Sequence, residues 1–430
     1  MNKRQIRAWV TYDWANSAFA TTMMAAVMPV FYESVAGAGL AEGVAASYWG
    51  YTQTIAMLCV AVLSPVLGAI ADYRGSKVRF LSVFTFIGAL SCAASFFIGE
   101  GDWLLASLFV ILGTVGFTGG NTFYDALLPD LVPERERDVV SARGFAAGYL
   151  GGGLMLALNI AMIEGWKAFG FPDKTTATQT VFVTVGIWWV VFTIPLLRAV
   201  KDRPANRSVP LLSVIRTGFA RNLETLRRIR QYPELAKYML AYWFFNDGIN
   251  TIIVMATVYG ATIGIETTHL IIALLITQFI GYPSTLLFGR LAVRLGSKKA
   301  LYLSLYIYVL IVVLGYFMSA AWHFYLLASM VGLVQGGSQA IARSIYANMT
   351  PPPRRAEFFG FLSLSSKFSA SAGPFLFGLV GTLAGSIRFG ILAVLAFFVI
   401  GILLLMAVNL AKGRDEALAG ENGDLGAAAV

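Results

Sequence analysis

Twelve stretches of roughly twenty or more mostly apolar residues run along this 430-residue chain, and no other feature constrains its fold as much. A hydrocarbon core of about 30 Å is crossed by about 20 helical residues. The stretches lie at roughly 8–33, 46–70, 79–98, 103–127, 139–164 and 178–199, then at roughly 236–260, 267–291, 299–319, 322–346, 358–383 and 387–411. Backbone at that depth must satisfy its own hydrogen bonds, which leaves helices or a closed barrel. Barrel strands alternate apolar and polar residues, and these runs are too long and too uniformly apolar for that. Charged residues are 13% of the chain, too few to cover a soluble protein of this length. The expectation is an all-α membrane protein with twelve transmembrane helices.

A net charge of +9 could suggest a nucleic-acid partner, so the positions of the charges decide. An even number of spans puts both termini on one side. That side receives Lys3, Arg4, Arg7, Arg74, Lys77, Arg79, Arg135, Arg137, Arg290, Lys299, Arg354, Arg355, Lys412 and Arg414. The other side receives Lys167, Lys174 and Arg388. By the positive-inside rule both termini are cytoplasmic, and no nucleic acid is needed to explain the charge. Asp13 and Asn16 interrupt the first apolar run early, so it reads as a retained span and not as a cleaved signal. Cys59 and Cys92 fall inside spans and read as packing residues.

The domain boundaries follow. Residues 1–199 form one six-helix bundle and 236–411 a second. Between them, 200–235 carries Lys201, Arg203, Arg207, Arg216, Arg221, Arg227, Arg228 and Arg230, with Leu212, Ile215, Phe219, Leu223 and Leu226 at helical spacing. This reads as a basic amphipathic linker on the inner membrane surface. Residues 412–430 are rich in Gly, Ala and acid and read as a disordered tail.

The two bundles read as one repeat. Gly68, Ala71, Gly75, Ser76 and Lys77 after span 2 match Gly289, Ala292, Gly296, Ser297 and Lys298 after span 8, at a constant offset of 221. Tyr124 and Pro129 match Tyr346 and Pro351 at offset 222; Tyr12, Asn16 and Thr21 match Tyr242, Asn246 and Thr251 at offset 230. Two pseudo-symmetric bundles around a midplane site are the design of alternating-access transporters.

The segment G-x-x-A-D-x-x-G-x-K at 68–77 resembles the signature loop of the major facilitator superfamily. Gly68 permits close helix approach, Gly75 a tight turn, and Asp72 can latch onto the start of helix 11. Gly68, Asp72, Gly75, Lys77, Gly289, Gly296 and Lys298 are therefore the expected conformational latch. The second copy has Val293 in place of Asp72, and span 4, GTVGFTGGN at 113–121, lacks the superfamily's usual Arg. Further strings narrow the resemblance: YDWANSAFAT at 12–21, FYDALLPD at 123–130, GYLGGG at 148–153, FNDG at 245–248, QAIARS at 339–344 and AEFFGF at 356–361. Together they resemble the branch of autophagy-related vacuolar amino-acid effluxers and their bacterial relatives. The resemblance implies efflux and an amino-acid cargo; the Ala- and Arg-rich composition leans to a bacterial inner membrane.

Charges inside spans point to function, since each costs about 2.5–3.5 kcal/mol to insert. Asp247 and Lys367 lie near the midplane on spans 7 and 11 and are expected to face each other or a shared aqueous cavity, with Asn246 and Gln339 nearby. Asp13, Asp125, Asp130, Arg143 and Arg343 are shallower, and interfacial snorkelling is the competing account of them. Asn16, Asn121, Asn246, Asn250, Gln335 and Gln339 fall on spans 1, 4, 7 and 10, the helices expected to line the central path. Interhelical hydrogen bonding is their plainer role. The substrate or ion pathway is thus expected at Asp13, Asn16, Asn121, Asp125, Asn246, Asp247, Asn250, Gln335, Gln339, Arg343 and Lys367. For proton coupling, Asp247 is the first candidate carrier, Asp13 or Asp125 the second.

His269 and His323 read as interfacial. The sequence carries no nucleotide loop, metal cluster or nucleophile motif. The expectation is no enzyme and no cofactor, but a monomeric secondary transporter in contact with membrane lipids. Its cargo would be a small polar or amphipathic solute, moved outward. A lipid or lysolipid transporter and a non-transporting scaffold or sensor are the alternatives.

Overall fold

The computed structural model describes residues 2–41, 44–202, 229–369 and 372–428, and among these every regular element is helical. The first set is α1 (Lys3–Ala36), α2 (Val44–Arg74), α3 (Lys77–Ala94), α4 (Trp103–Leu131), α5 (Glu134–Glu164) and α6 (Lys174–Ala199). The second is α7 (Pro233–Thr262), α8 (Thr267–Leu295), α9 (Ser297–Tyr316), α10 (Ala321–Met349), α11 (Arg355–Ser369), α12 (Ala372–Leu383) and α13 (Ile387–Met406). A last helix, α14, spans Leu410–Ala428. Among the described residues, α1, α3, α4, α5, α6, α8, α9 and α13 are long and apolar enough to cross a bilayer. α2, α7 and α10, at 31, 30 and 29 residues, also have the length. α11 and α12 together follow the eleventh expected span.

Local chemistry sets the ends. Asp173 accepts from the Thr176 amide at 2.7 Å and caps α6. Pro133 precedes α5, where its missing N–H costs nothing. Gly75 and Gly296 end α2 and α8 with φ of 64° and 87°, a region that disfavours residues with a Cβ. α1 widens into π-helical turns at Ala20–Ala26 and Tyr32–Ala36.

The packing repeats. α1 lies on α6, and α7 on α13; α3 lies on α4 and α6, and α9 on α10 and α13. Between the sets, α2 packs on α11 and α5 on α8. Leu90 and Leu104, 71% and 66% exposed, belong to an apolar outer surface that suits lipid.

Two expectations meet the structure differently. Residues 203–228, which carry the expected amphipathic linker, lie outside the described residues. The tail expected as disordered is helical as α14. Its charges find partners that composition does not reveal: Arg414 pairs with Glu134 at 2.9 Å and Lys412 with Glu234 at 3.8 Å, while Ala417 is buried.

Candidate functional site

The polar residues cluster toward one end of the bundle, the basic end, where α2, α4, α8 and α10 finish and α5 and α11 begin. At its centre stands Arg343 on α10, 7% exposed. Its Nε donates to Ser141 Oγ at 3.0 Å and Nη2 to the Ser141 carbonyl at 3.1 Å. Nη1 donates to Asp125 Oδ1 at 2.8 Å, and Nη2 lies 3.6 Å from Asp13 Oδ2. The rings of Phe145, Trp9 and Tyr124 face the guanidinium at 4.2, 4.9 and 5.4 Å. Asp13 also accepts from the Tyr124 hydroxyl at 2.8 Å. Asp13, Asp125 and Arg343, widely spaced in sequence, thus form one network, buried at Asp13 and Arg343 and part-buried at Asp125. Arg143 is exposed.

One turn beyond, Asn16 donates to Asn121 at 2.5 Å, joining α1 to α4. Past this pair lies a cavity of about 260 Å³. Ala20, Thr21 and Ala25 of the first π-helical turn line one side; Thr251, Tyr259, Thr277, Gln278 and Gln335 are the polar residues on the other. Most of the remaining lining is aliphatic or aromatic, and among the described residues no charged side chain lines it. Asn246 is buried on α7. Asn250 and Gln339 are half-buried on α7 and α10.

Asp247 is 1% exposed, and its Oδ2 accepts from the Gly373 amide at 3.0 Å, capping α12. Its Oδ1 has no hydrogen-bond partner among the described residues. The expected partner Lys367 sits on α11, but its side chain lies outside the described residues.

The basic end itself is tied across the two sets. Asp72 Oδ2 accepts from the Glu357 amide at 2.8 Å, at the start of α11. A Cβ on Gly68 would strike the Ala356 carbonyl. Lys77 bridges Asp72 at 3.1 Å and Asp130 at 2.9 Å, and Asp130 reaches Arg355 at 2.6 Å. The second copy of the motif does the same job with other chemistry. A Cβ on Gly289 would meet Ala142 on α5 at 2.6 Å, and Ser297 donates to Asp138 at 2.6 Å. With Val293 in the acidic position, Lys298 turns to the Val408 carbonyl at 2.7 Å instead.

Sequence reasoning missed several of these groups. Arg137, read only as a loop charge, donates to Asn348 Oδ1 at 2.7 Å and to the Pro129 and Val132 carbonyls. Ser141 donates to the Ala340 carbonyl at 2.8 Å. The signal was present: Arg137, Ser141 and Phe145 recur every fourth residue, which puts them on one face of α5. For Trp9 and Arg355 no local signal existed. His269 bonds to Tyr325, and His323 Nδ1 accepts from the Ala320 amide at 3.2 Å. No group of side chains suited to hold a metal ion occurs among the described residues.

This architecture is that of a major facilitator transporter. Solved structures share it over nearly the whole chain. The proton:xylose symporter XylE superposes with a TM-score of 0.69 at 15% identity, covering 96% of each chain. FucP in its outward conformation superposes with a TM-score of 0.70 at 14% identity, covering 95% of this chain and 99% of that one. The chain belongs to the vacuole effluxer Atg22-like family, whose model matches residues 1–418. It is 39% identical to the uncharacterized MFS-type transporter YxiO of Bacillus subtilis over 94% of this chain and 95% of that one. It is 23% identical to autophagy-related protein 22-2 of Neosartorya fischeri, over 87% of this chain and 76% of that protein. The protein is a multi-pass membrane protein of the MFS transporter class and not an enzyme.

Proposed function

We propose that the protein moves a small polar or amphipathic solute by alternating access, between bundles formed by residues 1–199 and 236–411. One observation carries the reading. Among the described residues, the hydrogen bonds and ion pairs that join the two sets all lie between the Asp13 level and the basic end, while the cavity lies beyond, between α1 and the second set. An arrangement locked at one end with a cavity past the lock is one of the two end states that a rocking mechanism needs.

The charge bias assigns the basic end to the cytoplasm, together with both termini. The conformation is then closed inward, with Asp72, Lys77, Asp130 and Arg355 as its latch. Efflux is the direction in keeping with the family's name, and amino acids are the first solutes to examine. The cell membrane is the expected location, given the Bacillus relative. Protons are the proposed coupling ion, with Asp247 as carrier, because it is buried with a single described partner. The aliphatic cavity lining also suits a cargo with an apolar body.

Counterflow in proteoliposomes tests this. Vesicles preloaded with unlabelled amino acids should accumulate the labelled solute transiently, and a collapsed pH gradient should slow net export. Absence of counterflow with any amino acid, amine or lysolipid would leave the non-transporting scaffold as the reading.

A further inference from the structure

The described residues that hydrogen-bond to Arg343, pair with it or present a ring face to it all come from the first set of helices, whereas Arg343 itself comes from the second. Asp13 and Trp9 stand on α1, Tyr124 and Asp125 on α4, Ser141 and Phe145 on α5. Among the described contacts, the box around the guanidinium is therefore supplied by the first bundle, and its occupant is delivered by the other.

The box is also held together without its occupant. The Tyr124 hydroxyl donates to Asp13 at 2.8 Å, and the Trp9 indole N–H donates to the Tyr124 carbonyl at 3.0 Å. Trp9 and Tyr124 stack with centroids 4.3 Å apart, and Tyr12 leans on Tyr124 at 4.9 Å. These contacts all lie within one rigid-body partner, so they persist when the bundles part. Two carboxylates, a serine hydroxyl and carbonyl, and three ring faces around a planar cation are the chemistry that recognises guanidinium or ammonium.

The geometry points to a solute site in which Arg343 is the tethered occupant: a small organic cation bearing a guanidinium or primary ammonium takes the box when α10 withdraws, and Arg343 displaces it when the basic end closes. This rests on the alternating-access reading and names its solute class. Exchange of cation for cation leaves neither Asp13 nor Asp125 unpaired within the bilayer, the state that burial penalises most. A polar route leads onward from the box. Asn16 and Asn121 lie one turn further along α1 and α4, and Thr21 lines the cavity. On α10, Gln339 and Gln335 follow Arg343 in steps of four residues, and Gln335 lines the cavity. A displaced cation thus meets polar groups on the way to the opposite end, the direction of export.

The test uses agmatine, which carries both head groups, with purified full-length protein in detergent. Arg343→Ala empties the box. Agmatine is expected to raise the unfolding temperature of this variant saturably, while leucine and equimolar sodium chloride do not. Adding Asp125→Asn to Arg343→Ala should raise the half-saturating agmatine concentration at least tenfold. Stabilisation that survives the Asp125→Asn change, or that sodium chloride reproduces, overturns the site. Stabilisation by acid alone with none from agmatine assigns the box to protons and also overturns it. If Arg343→Ala does not fold, wild-type proteoliposomes decide: labelled agmatine should show counterflow that Asp125→Asn abolishes, and its absence overturns the proposal. Leucine counterflow without agmatine binding or counterflow sinks the cation site and spares the transport reading. Agmatine binding without counterflow of any solute spares the box and sinks the transport reading.

Discussion

At Tyr124 a single hydroxyl serves a buried carboxylate, and its neighbour Tyr12 offers a direct comparison. Tyr124 donates to Asp13 at 2.8 Å, whereas Tyr12 shares a neutral bond with Thr85 at 3.2 Å. Hydrogen bonds to charged groups contribute about 1.5–3 kcal/mol, neutral ones about 0.5–1.5 kcal/mol. Tyr124→Phe should therefore destabilise the protein by about 2 kcal/mol and Tyr12→Phe by about half that, read from thermal unfolding in detergent. Equal losses would mean that Asp13 does not depend on the Tyr124 hydroxyl. Asp247 poses a different residue-scale question, because its Oδ1 lacks a described partner in a buried position. Asp247→Asn preserves shape and removes the charge. If Asp247 carries protons, the variant should keep counterflow and lose export driven by a pH gradient. Undiminished gradient-driven export by Asp247→Asn removes it from the coupling path.

Helix contacts at the basic end depend on two glycines that play equivalent parts. Gly68 brings α2 against the Ala356 carbonyl of α11, and Gly289 brings α8 against Ala142 of α5. A side chain at either place must push two helices apart, because backbone and a tightly packed methyl leave no room to yield. Gly68→Val should open the basic end. A cysteine at Ala347, 1% exposed in the closed form, should then be labelled several-fold faster in a protein lacking Cys59 and Cys92. Gly289→Val should act in the same direction. Gly50→Ala, where an added Cβ meets nothing within 4 Å, serves as the control and should leave labelling unchanged. Unaltered labelling in both valine variants would mean that these contacts do not hold the end shut.

Over the whole molecule, closure is a sum of dispersed ties and not one bolt. Asp130 holds Arg355 at 2.6 Å, Glu134 holds Arg414 at 2.9 Å, and Asp72 holds the start of α11. The Glu134 pair is half-exposed, so it contributes little, while the Asp130 pair is largely shielded. Arg355→Gln should shift the population toward inward opening, and Arg414→Gln should barely do so. Solvent accessibility of the Ala347 cysteine reports both; an equal response would put α14 among the structural ties of the gate. α14 thus enters the mechanism as a surface helix beside the gate, packed there through Gly413 and the buried Ala417 with Glu134 and Glu234 as added partners.

Much of this protein was legible in one dimension because a bilayer enforces simple rules. Length and apolarity delimit helices, charge bias orients them, and a repeated motif at constant offset betrays two related sets. Gly75 was readable as a turn because that role depends on its own backbone, and Asp72 as a group that meets the start of α11 through the resemblance of its motif. The aromatic box was not readable. Trp9, Tyr124, Phe145 and Arg343 come from four helices, and no local pattern says which faces converge across the two sets. The α14 helix was hidden for the same reason: its partners Glu134, Glu234 and Met349 stand on other helices, far away along the chain. Sequence alone determined the helical runs, the bias of basic charge between their two ends, and the candidate polar residues. Only tertiary structure decided which of them meet, because pairing a buried charge depends on distance across the bundle and not on distance along the chain.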